Sequence, residues 1–245
     1  MRFAVLFALL AVLPAVAVGG PKIRIGSLND YLQADKGVLV KRVFNGGDAT
    51  AFVKVRAWEL LPQGDGSVKE VPLDVQAGEG TRELVVSPTR LIIPAGGMQT
   101  VRLLFDGERG HERYFRLRFN PVVPGTKDGF ELTEQEAQAY ETSISGGVQM
   151  MAGFGSLLYV RPRDVTHQLA IDEEDTRFVI RNVGNATAVL ERFRRCDASG
   201  IDCDPAVVHH LPPGGRREVP KTPGSIYAFE HRRGALAPMP YEIKG

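Results

Sequence analysis

From Lys22 onward the chain is cut into short runs of alternating apolar and polar residues, and the cuts are made largely of glycine, proline, asparagine and aspartate. VLVKRVF (38–44), AFVKVRAWEL (51–60), RELVV (82–86), TRLIIP (89–94), QTVRLLF (99–105) and RYFRLRF (113–119) alternate or are rich in β-branched residues. Between them stand NGGD (45–48), PQGDGS (62–67), AGEG (77–80), PAGG (94–97) and DGERG (106–110), residues that accept positive φ or bond their own backbone and so reverse a chain. A period-two run buries one face only, so such sheets must stack in pairs. The expected fold is all-β, a sandwich.

The rhythm resumes after Pro162 with TRFVIRNVGNATAVLERF (176–193), AVVHHL (206–211), RREVP (216–220) and SIYAFEHRR (225–233), enough for a smaller second sandwich. The domain boundary is expected at 162/163, giving units 20–162 and 163–245. One segment breaks the pattern: LTEQEAQAYE (132–141) carries a Thr133 to Glu136 capping box but is short and acidic, and predicts a mobile loop with a helical turn.

At the start, Arg2 precedes an apolar stretch from Phe3 to Leu13, and Ala15-Val16-Ala17 has the small-x-small pattern of a signal-peptidase site. Residues 1–19 therefore read as a signal peptide cleaved between 17 and 20. The apolar run is shorter than the roughly 20 residues that span a bilayer, so the mature chain is expected outside the membrane. Thirty Lys and Arg balance 29 Asp and Glu, which gives no footprint for nucleic acid. The two cysteines, Cys196 and Cys203, are expected to form one local disulfide in an exported protein. A loop that short contributes about 2–3 kcal/mol, so the fold rests on its core.

No catalytic constellation emerges. His209 and His210 are neighbours on a strand and point to opposite faces, which is a poor metal grip. Gly153-Phe154-Gly155-Ser156 lacks the glycine and strand-to-helix setting of a nucleophile elbow, and Asp172 to Asp175 lacks the spacing of a calcium loop. Asn185-Ala186-Thr187 fits a glycosylation acceptor but is too common a pattern to decide anything. Trp58, the single tryptophan, reads as core. No enzyme activity, cofactor or metal is expected. In RYFRLRF, Phe115, Leu117 and Phe119 share one face while Tyr114, Arg116 and Arg118 share the other. Two arginines on one side of a strand repel unless they face solvent or an anion, so this is either a solvated basic face or a carboxylate pocket, with Arg42 a third candidate.

In TSISGGVQMMAGFGSLLYVRP (142–162), Val148, Met150, Ala152, Phe154, Ser156 and Leu158 fall on one face of an extended chain, and Gln149, Met151, Gly153, Gly155, Leu157 and Tyr159 on the other. Both faces are apolar or small, and glycine and methionine make a soft strand for a core.

Taken together, LVVSPTRLIIPAGGMQTVRLLF (84–105), ERYFRLRFNPVVP (112–124), LLYVRP (157–162) and IRNVGNATAVL (180–190) with a cysteine pair shortly after are similar, in order and spacing, to the PapD-like periplasmic pilus chaperones. The likeness is greatest to the alternate type serving coli surface antigen and cable-type fimbriae. It implies two immunoglobulin-like domains in a boomerang, a periplasmic location, fimbrial or pilin subunits and an outer-membrane usher as partners, and complementation of the subunit by a donor strand. By position the donor residues are Val148, Met150, Ala152 and Phe154, leaving Met151, Leu157 and Tyr159 to the home domain. Arg102, Glu112 and Arg161 match an ion network at the domain junction. The family's two basic cleft positions fall near Asn29 and at Leu157, neither basic, so a carboxylate anchor would rest on Arg116, Arg118 and Arg42. The alternative is a secreted two-domain β-sandwich that is itself a fimbrial or adhesin component, although PKIRIGSLNDYL (21–32) offers no long apolar extension of the kind such a subunit donates.

Overall fold

The computed structural model describes residues 19–64, 66–73, 83–144 and 151–245. The signal segment up to residue 18, the AGEG turn, and Val148 and Met150 lie outside the described residues.

In chain order the first sandwich contains β1 (Ile23–Arg24), β2 (Asn29–Leu32), β3 (Val38–Asn45), β4 (Ala51–Pro62), β5 (Val68–Pro72), β6 (Leu84–Ser87), β7 (Arg90–Ile93), β8 (Met98–Phe105), β9 (Arg113–Val122), α1 (Glu134–Ile144) and β10 (Phe154–Val160). The second contains β11 (Leu169–Glu173), β12 (Arg177–Asn182), β13 (Ala188–Cys196), β14 (Val207–Leu211), β15 (Arg216–Pro220), β16 (Ile226–Arg233) and β17 (Leu236–Lys244). A sheet ordered β1-β3-β8-β6 faces a sheet ordered β2-β10-β9-β4-β5, with β7 also on β4; in the second domain β11-β12-β15 faces β14-β13-β16-β17. The β10–β2 pair is parallel and the other ladders are antiparallel. Each sandwich has its own apolar cluster, the first around Phe115, Leu117, Phe119 and Leu158, the second around Ile180, Leu190 and Phe229. The Cys196–Cys203 disulfide is formed and pins the turn after β13.

Both domains are built on one device. Asn45, at the end of β3, is buried and donates through Nδ2 to the carbonyls of Ala49, Ile93 and Pro94. Asn182, at the end of β12, donates to those of Ala186 and Leu211. Each Oδ1 accepts the N–H of the glycine two residues on, Gly47 or Gly184, at 3.0 Å. Those glycines pass so close to the segment leading into the domain's first strand that a Cβ would lie 2.4 Å from the Gly20 carbonyl oxygen in one domain and 2.2 Å from that of Thr166 in the other. Each asparagine N–H then bonds the last glycine of a Pro-x-Gly-Gly turn, Gly97 or Gly215, at 2.9 Å. The sequence therefore contains a repeat, Asn-x-Gly-x-Ala followed later by Pro-x-Gly-Gly, that composition and period do not reveal.

The segment expected as a mobile loop is an 11-residue helix. Thr133 and Glu136 close the capping box reciprocally, and the Tyr140 hydroxyl donates to the Thr50 carbonyl at 2.6 Å. Phe52 receives Phe130 and Tyr140 edge-on, and Ile144 is buried. Tertiary contacts of one aromatic strip hold a helix too short to persist alone.

Two further expectations are corrected by pleat parity. In β10 the even positions Phe154, Ser156, Leu158 and Val160 turn inward, with Leu158 and Val160 fully buried and Phe154 half-buried against the first core. Leu157 and Tyr159 occupy the outer face instead. Trp58 is also outside, because Val53, Val55 and Ala57 fix the inward face of β4.

Replacing Asn45 by Asp keeps the shape but removes the donor facing three carbonyls, and should cost on the order of 3 kcal/mol in urea unfolding. The exposed neighbour change Gly46→Ala should cost little, a contrast that reports the amide and not the loop.

Candidate functional site

The outer face of the six-stranded sheet carries a ladder of rows set by register. Tyr31, Tyr159, Tyr114 and Leu60 lie across β2, β10, β9 and β4; the next row is Asn29, Leu157, Arg116, Trp58 and Pro72; beyond it stand Gly155, Arg118 and Arg56. The tyrosines of the first row meet the second domain through His210 and the Glu112–Thr187 contact, and the other rows are open.

At the covered end, Glu112 and Arg161 form a fully buried pair at 2.8 Å. The second Glu112 oxygen accepts the Thr187 N–H at 2.7 Å, the Thr187 hydroxyl at 2.5 Å and the Tyr114 hydroxyl at 2.9 Å. Arg161 also donates to the Thr187 carbonyl at 2.8 Å and lies 4.8 Å from the centre of the Tyr31 ring. Tyr31 and Tyr159 stack at 4.7 Å, and the Tyr31 hydroxyl meets His210 Nδ1 at 2.5 Å. Burial first, and then the Glu112 carboxylate, push the Tyr159 phenol up to about 12; burial raises Tyr31 and Tyr114 as well. All three phenols stay protonated, so Tyr114 is a permanent donor to Glu112.

Arg102, expected in this network, lies exposed on the outer face of β8 in the opposite sheet. Arg109 takes a junction role that the sequence did not signal: its guanidinium donates to the carbonyls of Gln33, Lys36 and Arg161. Thr187 was also missed, being hidden in a glycosylation-like triplet whose Asn185 side chain is engaged by Asp164 and Thr166. Lys41 was missed too; buried inside the sandwich, it donates to Asp30 and to the Ser27 carbonyl and so ties β3 to β2 across the two sheets.

At the open end, Leu28, Asn29, Arg116, Gly155, Ser156 and Leu157 line a cleft of about 280 Å³. The two positions where a basic anchor would be sought, Asn29 and Leu157, form its wall, and Arg116 lies directly across from Leu157 on β9. Glu70 of β5 pairs with both Arg116 and Arg118, and the Arg118 guanidinium sits 4.3 Å from the centre of the Trp58 ring. Arg42 cannot join them: it is exposed on the outer face of β3, in the opposite sheet. Ala152 is exposed just before β10.

His209 and His210 diverge, the first against Phe193 and the second toward Tyr31 and Tyr159. Among the described residues no group of three or more His, Cys, Asp or Glu could hold a metal ion, and no helix is long and apolar enough to cross a membrane.

No family model matches the chain. Among curated proteins, the probable fimbrial chaperone EcpB of Escherichia coli O1:K1 / APEC is 25% identical over 197 residues, 79% of this chain and 78% of that protein. EcpB of Escherichia coli O157:H7 is 24% identical over the same shares. Among solved structures, the class 5 fimbriae chaperone CfaA matches with a TM-score of 0.58 at 19% identity, covering 91% of this chain and 98% of CfaA. The E. coli chaperone DraB gives 0.55 at 14% over 92% and 97%. A chain from the CsuC–CsuE chaperone and tip-subunit complex of Acinetobacter baumannii gives 0.53 at 13% over 91% and 98%.

Removing one member of the buried pair, as in Glu112→Ala, strands the Arg161 charge and should cost about 3–5 kcal/mol in urea unfolding, whereas Glu112→Leu with Arg161→Met should recover only the part due to the stranded charge, because the Thr187 and Tyr114 donors stay unpaired. A second expectation concerns His231, fully buried, 6.0 Å from His167 and without a hydrogen-bond partner at Nε2. Burial, then His167 and the arginines Arg233 and Arg161, hold it down to about 4. The folded state thus keeps His231 neutral while the unfolded chain protonates near 6.5, so stability is full above that pH and falls between 6.5 and 4, by up to a few kcal/mol. His167, His209 and His210 are also lowered by burial and add to the same slope. Denaturant midpoints at pH 7.5, 6 and 5 should show this, with a shallower slope for His231→Gln.

Proposed function

We infer that this chain, a PapD-like fimbrial chaperone in fold and in sequence, is a non-enzymatic chaperone that binds fimbrial subunits in the periplasm. The observation that carries the mechanism is an uneven edge. The strand β2 pairs with β10 only over Leu157 to Val160, while β9 pairs with it from Phe154 onward. The start of β10, from Phe154 to Ser156, has room on that side for a strand of another chain, which main-chain bonds would hold and alternate side chains would fit.

The proposed donor residues follow the alternation of the sequence. Val148, Met150 and Ala152 share parity with Phe154, whose ring already packs on the home core, so an unbroken strand would carry that core into a subunit's groove with Phe154 at the seam. Met150 adapts to several groove shapes, which suits a donor that serves related subunits and later lets go. On this reading the Arg116 cleft beside this edge would take the subunit's terminal carboxylate, with Arg118 behind it, one strand over from the expected positions. Export by the N-terminal signal, delivery to an outer-membrane usher and release by strand exchange complete the reading. Similar solved structures include a chaperone–tip adhesin complex of CFA/I fimbriae and the CsuC–CsuE chaperone–tip subunit complex, which supports a pilin-type partner. The alternative of a fimbrial structural component is not favoured, since the relatives are named as chaperones.

Val148→Asp with Met150→Asp should abolish recovery of co-expressed fimbrial subunit on the tagged chain while leaving its own melting unchanged; recovery at the wild-type level would exclude the donor strand. Phe154→Asp should lose both binding and stability, by the core contact it alone makes.

A further inference from the structure

At the open end of the outer face two arginines share one carboxylate, with a third arginine beside them. Arg56 stands opposite Arg118 across β4 and β9, and Arg116 is the next outward residue along β9. Glu70, on the edge strand β5, bridges the pair, Oε1 to Arg116 Nη1 and Oε2 to Arg118 Nη2, the latter at 2.7 Å. Arg118 is held flat against Trp58 and does not line the cleft, whereas Arg116 does. A carboxylate entering beside Asn29 and Leu157 therefore meets an arginine already occupied.

Resting on the reading that this cleft receives a subunit's chain end, we propose that Glu70 and Arg118 are an exchange pair: Glu70 holds Arg116 in the free chaperone and releases it to the subunit's terminal carboxylate, while Arg118 keeps Glu70. In the free state the bridging carboxylate relieves the repulsion between two arginines on one strand face. In the bound state each anion has one guanidinium, so opening the bridge leaves no charge unmatched. The side chains of Glu70, Arg116 and Arg118 are 28%, 38% and 40% exposed, the regime in which ion pairs are weak and readily traded. A neutral chain end or an internal loop has no charge with which to displace Glu70, so the exchange selects a true terminus. Arg118 acts through Glu70 and is a positioning residue.

The test compares two semisynthetic forms of one fimbrial subunit, with a terminal carboxylate and with a terminal amide, bound by the full chain and its variants. The wild type should prefer the carboxylate form. Glu70→Gln should raise that preference about threefold, and Arg118→Gln should lower it by a similar factor by leaving Glu70 with Arg116 alone. Combining the two should restore the Glu70→Gln value, and Arg116→Gln should erase the preference in every background. A merely structural Glu70 predicts the opposite, loss of preference in Glu70→Gln, and that result overturns the exchange, as does an Arg118→Gln preference equal to wild type. Equal binding of both forms by the wild type removes the carboxylate contact and the exchange but leaves the chaperone reading intact. Failure of the wild type to bind either form overturns both.

Discussion

The placement of the open sheet face relative to the second domain depends on the buried contact between Glu112 and Arg161. A charged pair out of water contributes little net stability, because desolvation offsets most of the attraction. What it supplies is direction. Glu112 accepts from Arg161, Tyr114 and both donors of Thr187, and Arg161 returns a bond to the Thr187 carbonyl, so the second domain is fastened at one residue by bonds of fixed geometry. An apolar seam of the same area could slide; this one cannot without stranding a charge. The tyrosine row beside it adds stacking and hydroxyl bonds, and Arg109 binds the backbone of Gln33, Lys36 and Arg161 from the rim. The open rows of the sheet are thereby held at a fixed distance from the second domain.

The strand β10 divides its labour by face and by length. Its inner face closes the first core with Leu158 and Val160, and its outer face gives Tyr159 to the junction and Leu157 to the cleft. Along its length, the half near Val160 is paired on both sides and the half near Phe154 on one. Stability is thus concentrated at the junction end, where the geometry must hold, and pairing capacity is left at the other. The buried Lys41–Asp30 pair belongs to the same scheme, since it anchors β2 from inside the sandwich and so fixes where that second partner strand stops.

The fold was legible because alternation and turn chemistry are local. Phe115, Leu117 and Phe119 read correctly as inward, the capping box marked the start of α1, and the cysteines paired as expected. The length of α1 was not legible, because its support comes from Phe52 and Thr50, about 90 residues away in sequence. Alternation states that a strand has two faces but not which sheet it joins, so Arg42 and Arg102 were grouped with residues that the sandwich places on its other side. The strand pattern around Trp58 reads as core, but the smaller Val55 and Ala57 set the inward parity and leave Trp58 outside. One signal was present and unread: Asn45-Gly46-Gly47-Asp48-Ala49 against Asn182-Val183-Gly184-Asn185-Ala186 marks equivalent loops, and the residue after each, Thr50 or Thr187, is the docking point for Tyr140 or Glu112.

That displacement of roles extends to the cleft. Side chains directly across two strands lie about 5 Å apart, so a long arginine on one can present its charge over the backbone of the other. Leu157 and Arg116 are such a pair, and Asn29 completes the row on the far side. A basic group need not occupy the first or last strand to serve the space between them. A basic group on β9, however, stands beside Arg118 and within reach of β5, where Glu70 pairs with both arginines. On the proposed reading, the absence of a basic residue at Asn29 and Leu157 and the presence of Glu70 on the edge strand are linked: an arginine set on β9 beside Arg118 has its counter-charge there, in Glu70.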